Sequence, residues 1–183
     1  MEAQYDGVKL KEVAGGRGRA AAALLRAVAL VLTLTSTLVL ALDKETKAVA
    51  VTIGAITLEI PVTAKIKYSS TFVYSVVVNA IASGYGALSL LLMLANKGGK
   101  VRRATLLLVV GDMIMVALLF SGVGAAMAIG VIALKGNSHL RWNKVCNVFS
   151  KFCHIGLASF GFSLGASIAY LLLVSIAVFH LQK

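Results

Sequence analysis

Acidic side chains are scarce in this 183-residue chain, and past Glu59 a single one remains, Asp112. No acid follows Ser163, so Gly161-Phe162-Ser163-Leu164-Gly165, although it has the G-x-S-x-G spacing, has nothing after it to complete a hydrolase triad. Gly15-Gly16-Arg17-Gly18-Arg19 lacks the Lys-Ser/Thr of a phosphate-binding loop. The chain has three histidines, none forming a pair at helical spacing, and only two cysteines, Cys146 and Cys153. Glu2 excludes an N-myristoylation site, and His180-Leu181-Gln182-Lys183 is no prenylation box. These absences point away from an enzyme and from a cofactor or metal protein.

What fills the chain is apolar residue: 59% of the total, at a mean hydropathy of +0.91. Four windows, about 20–42, 71–94, 104–134 and 156–180, are long enough to cross a hydrocarbon core of about 30 Å. The first is span-length rather than the short apolar core of a secretory signal, and reads as an uncleaved span. The fold expected is an all-α membrane protein, a four-transmembrane-helix bundle occupying residues 20–183 as one domain, preceded by a flexible basic tail over 1–19. No connection is long enough for a soluble domain. Four spans put both termini on one side. Lysine and arginine number ten on that side and eight on the other, but four of them crowd the short connection Ala95–Arg103, which places the termini in the cytoplasm. Basic clusters of this kind meet anionic lipid headgroups; without an aromatic platform they do not suggest nucleic acid.

With that topology spans 1 and 3 run in parallel, and Arg26 and Asp112 lie at matching depth, roughly 9–12 Å from the cytoplasmic boundary. An ionisable group at that depth is costly and normally has a partner, so the two are expected to form an intramembrane ion pair that fixes span 1 against span 3. The alternative is a snorkelling Arg26 and a protonated Asp112. A proton relay normally shows further acids or histidines, so a formed pair is read as an assembly lock. Small residues recur every four positions at Gly161, Gly165 and Ala169 in span 4 and at Gly122, Ala126 and Gly130 in span 3. Such ridges serve either as helix-packing seams or as oligomer surfaces, and at least one is expected inside the bundle. In span 2 the Asn79 amide is placed to hydrogen-bond a neighbouring helix.

Between spans 1 and 2, Ile56 to Tyr68 alternates apolar and polar residues at period two, and Val49, Val51 and Ile53 alternate upstream. With a turn at Gly54-Ala55 the pattern supports a small exterior β-hairpin, whose Pro61 requires an edge or bulge. Between spans 3 and 4, Cys146 and Cys153 would stand about 10.5 Å apart along a continuous helix, too far for a disulfide, so a bridge demands an intervening turn. The competing arrangement is an interfacial helix with Trp142, Cys146, Phe149 and Cys153 on one face. A zinc site from both cysteines with His139 and His154 is a remote third.

Leu24-Leu25-Arg26, Asp112, Asp43-Lys44-Glu45-Thr46 and above all Gly136-Asn137-Ser138-His139-Leu140-Arg141-Trp142-Asn143-Lys144-Val145-Cys146 resemble the plant Casparian-strip membrane domain protein-like (CASP-like) family. The likeness runs from Leu24 onward. It implies a MARVEL-related, multi-pass plasma-membrane protein with cytoplasmic termini that forms homo- and hetero-oligomers with related four-span proteins. It further implies that Arg26 and Asp112 correspond to the family's intramembrane pair, and Cys146 and Cys153 to its second-loop cysteines. Founding members of the family are scaffolds that restrict diffusion and gather cell-wall enzymes; the first exterior loop here lacks their aromatic-rich signature. The expected function is therefore a self-associating plasma-membrane scaffold that organises membrane subdomains and guides local wall modification. The alternative is a channel or transporter subunit with a polar path at Arg26, Asp112 and Asn79.

Overall fold

The computed structural model describes residues 2–53, 56–95, 102–136, 139 and 144–181. Helix α1 (Glu2–Leu42) leads into a two-stranded antiparallel hairpin, β1 (Lys44–Ile53) and β2 (Ile56–Lys65). A 3-10 turn (Ile66–Tyr68) enters α2 (Ser70–Ala95), followed by α3 (Arg102–Lys135), the short α4 (Val145–Val148) and α5 (Ser150–Leu181). Four stretches are long and apolar enough to cross a membrane: Gly18–Leu42, Ser70–Ala95, Leu106–Lys135 and Ser150–Phe179. The fold class read from the sequence therefore stands, hairpin included.

Three boundaries differ from expectation. The residues expected as a flexible tail continue α1 back to Glu2. They contain no proline, and once Ala20–Ala23 are helical, adding residues costs far less than starting a new helix. The hairpin begins at Lys44, five residues before Val49, because the register from Lys44↔Lys65 to Ile53↔Ile56 pairs both strands along their full length. The last span starts at Ser150 rather than at residue 156. The turn at 54–55, the basic connection at 96–101 and Trp142 fall outside the described residues.

Helix contacts run α1–α5, α5–α3, α3–α2 and α2–α1, so α1 faces α3, and α2 faces α5, across the middle of a four-sided bundle. Two apolar clusters fill it. The first joins Ala29, Val78, Ala82, Met115, Leu119, Ala166 and Tyr170. The second, nearer the hairpin, joins Leu40, Ile66, Ala126, Phe149, Phe152 and Phe160. Exposed leucines, isoleucines and valines on every long helix form the outer surface, as a lipid-facing bundle requires. Helix α3 ends at Gly136, whose φ of 72° suits the left-handed residue after a helix and whose N–H returns to the Ile132 carbonyl at 2.8 Å.

Candidate functional site

Arg26 and Asp112 meet across the bundle's diagonal. One guanidinium nitrogen donates to Asp112 Oδ1 at 3.0 Å, the other to Oδ2 at 2.7 Å, a bidentate pair. Both residues are nearly sealed, at 5% and 1% exposure. The expectation that this pair fixes span 1 against span 3 needs a geometric correction, because α1 and α3 are opposite rather than adjacent helices. The Arg26 side chain reaches over the middle, and the pair, with its partners on α2, ties α1, α2 and α3 together.

Span 2 supplies the rest of the cluster through residues that the sequence reading passed over. Ser89 Oγ accepts from Arg26 at 2.8 Å and donates to the Gly86 carbonyl at 3.0 Å. The Tyr85 hydroxyl lies 2.9 Å from both Asp112 Oδ1 and the Leu108 carbonyl, and its one proton serves either acceptor. Tyr85 and Ser89 are four residues apart, hence on one helix face, and that spacing of two polar residues in an apolar span was the signal available. Two glycines make room. A Cβ at Gly111 would stand 2.5 Å from the Tyr85 hydroxyl, and one at Gly86 would stand 2.8 Å from that of Tyr170. Tyr170 donates to the Ala82 carbonyl at 2.9 Å, bridging the other diagonal from α5 to α2.

Asn79 takes no part in this cluster. Its Nδ2 donates to the Ser75 carbonyl of its own helix at 2.8 Å, and its Oδ1 is buried without a partner. It stands about 15 Å along α2 from Ser89, with the buried Ala82 between them. Ser36 and Ser159 join α1 to α5 instead, their hydroxyls 2.9 Å apart.

The small-residue ridges divide along their length. Gly165 backs onto Leu32 of α1, its notional Cβ 3.3 Å from Leu32 Cδ1, and Ala169 is buried in the first cluster, whereas Gly161 faces open space. On α3, Gly122 is buried against α2 and its carbonyl accepts from Ser75 Oγ at 3.1 Å. Ala126 is buried too, and Gly130 has nothing within 4 Å of its notional Cβ.

At the hairpin end Cys146 and Cys153 form a disulfide with Cα atoms 5.7 Å apart. The required turn is Phe149, at φ −110° and ψ 60°, which separates α4 from α5 and removes the interfacial-helix arrangement. With both sulfurs in the bridge the zinc site has lost its thiolates, and among the described residues no group of three candidate ligands occurs. Glu45, part of the Asp43-Lys44-Glu45-Thr46 stretch that carries the family resemblance, accepts from the Phe152 backbone N–H at 2.8 Å in the first turn of α5. A carboxylate there satisfies an orphan donor and opposes the helix dipole. Lys47 Nζ approaches Glu45 at 3.4 Å. Beside it Asp43 is mostly buried, with Oδ2 unpartnered. Desolvation, then repulsion by Glu45, pushes its carboxyl above the usual range, against the attraction of Lys151 and a bond from the Lys44 N–H.

Over residues 15–169 the chain matches the Casparian strip membrane protein domain. It is 56% identical to CASP-like protein 1E1 of Glycine max over 126 residues, covering 69% of this chain and 66% of that protein. It is 47% identical to CASP-like protein 1E2 of Arabidopsis thaliana over 117 residues, 64% of this chain and 62% of that one. The matched stretch thus spans slightly under two thirds of the length of these relatives. No solved structure matches the chain.

Proposed function

We propose that this chain, which belongs to the Casparian strip membrane protein domain family, acts as a self-associating scaffold of the plasma membrane, both termini cytoplasmic and the hairpin outside. Its partners are further copies and related four-span proteins, surrounding lipids and, at the outer face, enzymes that modify the cell wall. The observation that carries this reading is the burial of the ion pair: the strongest charges in the bundle are spent on each other and on Ser89 and Tyr85. A conducting path would leave Asp112 open to water, and its 1% exposure favours a lock instead.

The test uses the face that the bundle leaves free. Gly161 has nothing within 4 Å of its notional Cβ, so Gly161→Leu enlarges the outer surface of α5 without disturbing the core. Expressed at native density, this variant is expected to reach the membrane normally, diffuse faster in photobleaching and co-precipitate less of a differently tagged copy. Labelling of cysteines placed at Gly98 and Lys144 from opposite sides of intact cells, with Lys144 outside, checks orientation. Solute flux through vesicles holding the purified protein, changed by Asp112→Asn and unaccompanied by self-association, overturns the scaffold.

A further inference from the structure

The hairpin end contains a cavity of about 600 Å³ between β2, the start of α2, the end of α3, α4 and the start of α5. Its walls are apolar, among them Phe72, Met127, Val131, Leu157 and Phe160. Its rim carries Lys65, Tyr68, Asn147 and His154, and among the described residues no acidic one lines it. Met127, Val131 and Leu157 are exposed on the outer surface, so the cavity opens sideways between α3 and α5 rather than into the core. Along α3 it extends from Met127 to Leu134, about 10 Å, which is less than the half-thickness of a hydrocarbon core of about 30 Å.

A second observation concerns charge. The hairpin register sets Lys44 directly opposite Lys65, and like charges in that position repel. Among the described residues neither ammonium has a carboxylate within 4 Å; Glu45 pairs instead with Lys47. A cationic rim over an apolar slot that stays within one leaflet is complementary to an amphiphile with a negative head. The volume lies in the range of pockets that enclose a small ligand or a single chain. The disulfide holds α4 against α5 as one wall.

We propose that this cavity is a binding site for one anionic membrane phospholipid, an acyl chain lying between α3 and α5 and the phosphate at Lys65 near the base of the hairpin. The lipid then relieves the Lys44–Lys65 repulsion and links hairpin, α4 and bundle through a noncovalent contact. Scaffolding does not require this site, and its test is separate.

The full-length protein, purified in mild detergent, is offered phosphatidylglycerol or phosphatidylcholine with identical chains, and retained lipid is counted by native mass spectrometry. One phosphatidylglycerol per chain is expected to survive conditions that strip phosphatidylcholine, at a preference of about five- to tenfold for the charge on Lys65. Lys65→Glu should bring that preference close to unity. Gly130 lines the cavity with open space at its notional Cβ, so Gly130→Phe fills the slot without a clash and should abolish retention of both lipids. Gly124 has equal open space outside the lining, and Gly124→Phe should retain lipid like the parent. Equal retention of the two lipids by the parent, or undiminished retention by Gly130→Phe, overturns the site. So does displacement of the lipid by soluble glycerol 1-phosphate alone, since the chain would then contribute nothing. Loss of self-association in Gly130→Phe with lipid retention intact assigns the groove to a second copy and overturns it equally.

Discussion

Around Asp112 side chains from two other helices converge on one carboxylate, and each of its oxygens has a partner. At the hairpin end Asp43 keeps a buried oxygen unpaired, the wall beside it is fastened by a covalent bridge, and a cavity of about 600 Å³ lies between the helices. The first region is closed by complementary charge in a medium where unpaired charge is prohibitive. The second lies where water and headgroups begin, and there open space and an orphaned carboxylate oxygen are tolerable. Charge is thus constrained most tightly inside the hydrocarbon, where only the neutral Asn79 amide keeps an oxygen unpartnered among the described residues, and the rim has latitude for ligands and partners.

The contrast can be broken most severely at the ion pair. Asp112→Asn leaves Arg26 buried without its counter-charge, and is expected to lower stability by about 3–5 kcal/mol. Thermal unfolding in detergent micelles measures this. Replacing both residues by methionine should cost less than either single replacement, because no charge is then stranded. A double variant as unstable as the sum of the two singles would mean that the residues do not act as a pair.

At the opposite end, Cys146→Ser with Cys153→Ser opens an eight-residue loop, worth about 2–3 kcal/mol on chain-entropy grounds. Hydrogen exchange should accelerate in α4 and the first turn of α5 and remain unchanged around Asp112. Acceleration at both ends would show that the two regions unfold as one.

A smaller effect is expected where glycine admits an aromatic ring. Gly111→Ala places a methyl 2.5 Å from the present position of the Tyr85 hydroxyl and must move it from Asp112. The cost is about 1–3 kcal/mol. Ring carbons of residue 85 stand 2.7 and 2.8 Å from the same notional Cβ, so Gly111→Ala combined with Tyr85→Phe should recover little of this loss, which unfolding of both variants against Tyr85→Phe alone resolves.

The smallest effect concerns acidity at the hairpin end. Burial and Glu45 raise the Asp43 carboxyl above its unfolded value, so its contribution favours the folded state when protonated and is lost as pH rises through the folded-state pKa. Stability should fall with rising pH across and just above the usual carboxylate range, and Asp43→Asn should flatten that slope. A slope left undiminished in the variant would show that Asp43 is not its source.

Span number, approximate ends, the hairpin and the Arg26–Asp112 pairing were legible in the sequence, since each follows from a local rule: apolar length against bilayer thickness, period-two alternation, and the penalty for a lone charge at depth. Local rules do not fix which helices are neighbours. The order α1–α5–α3–α2 around the bundle decided that the pair spans a diagonal, that Ser89 and Tyr85 complete it, and that Asn79 stays outside it. It likewise decided that Gly165 and Gly122 are seams while Gly161 and Gly130 face outward. The cysteines show the division in one place: their spacing dictated that a bridge needs a turn, and the backbone at Phe149 supplied it, because the packing of α4 and α5 breaks a helix that composition alone would have allowed to continue.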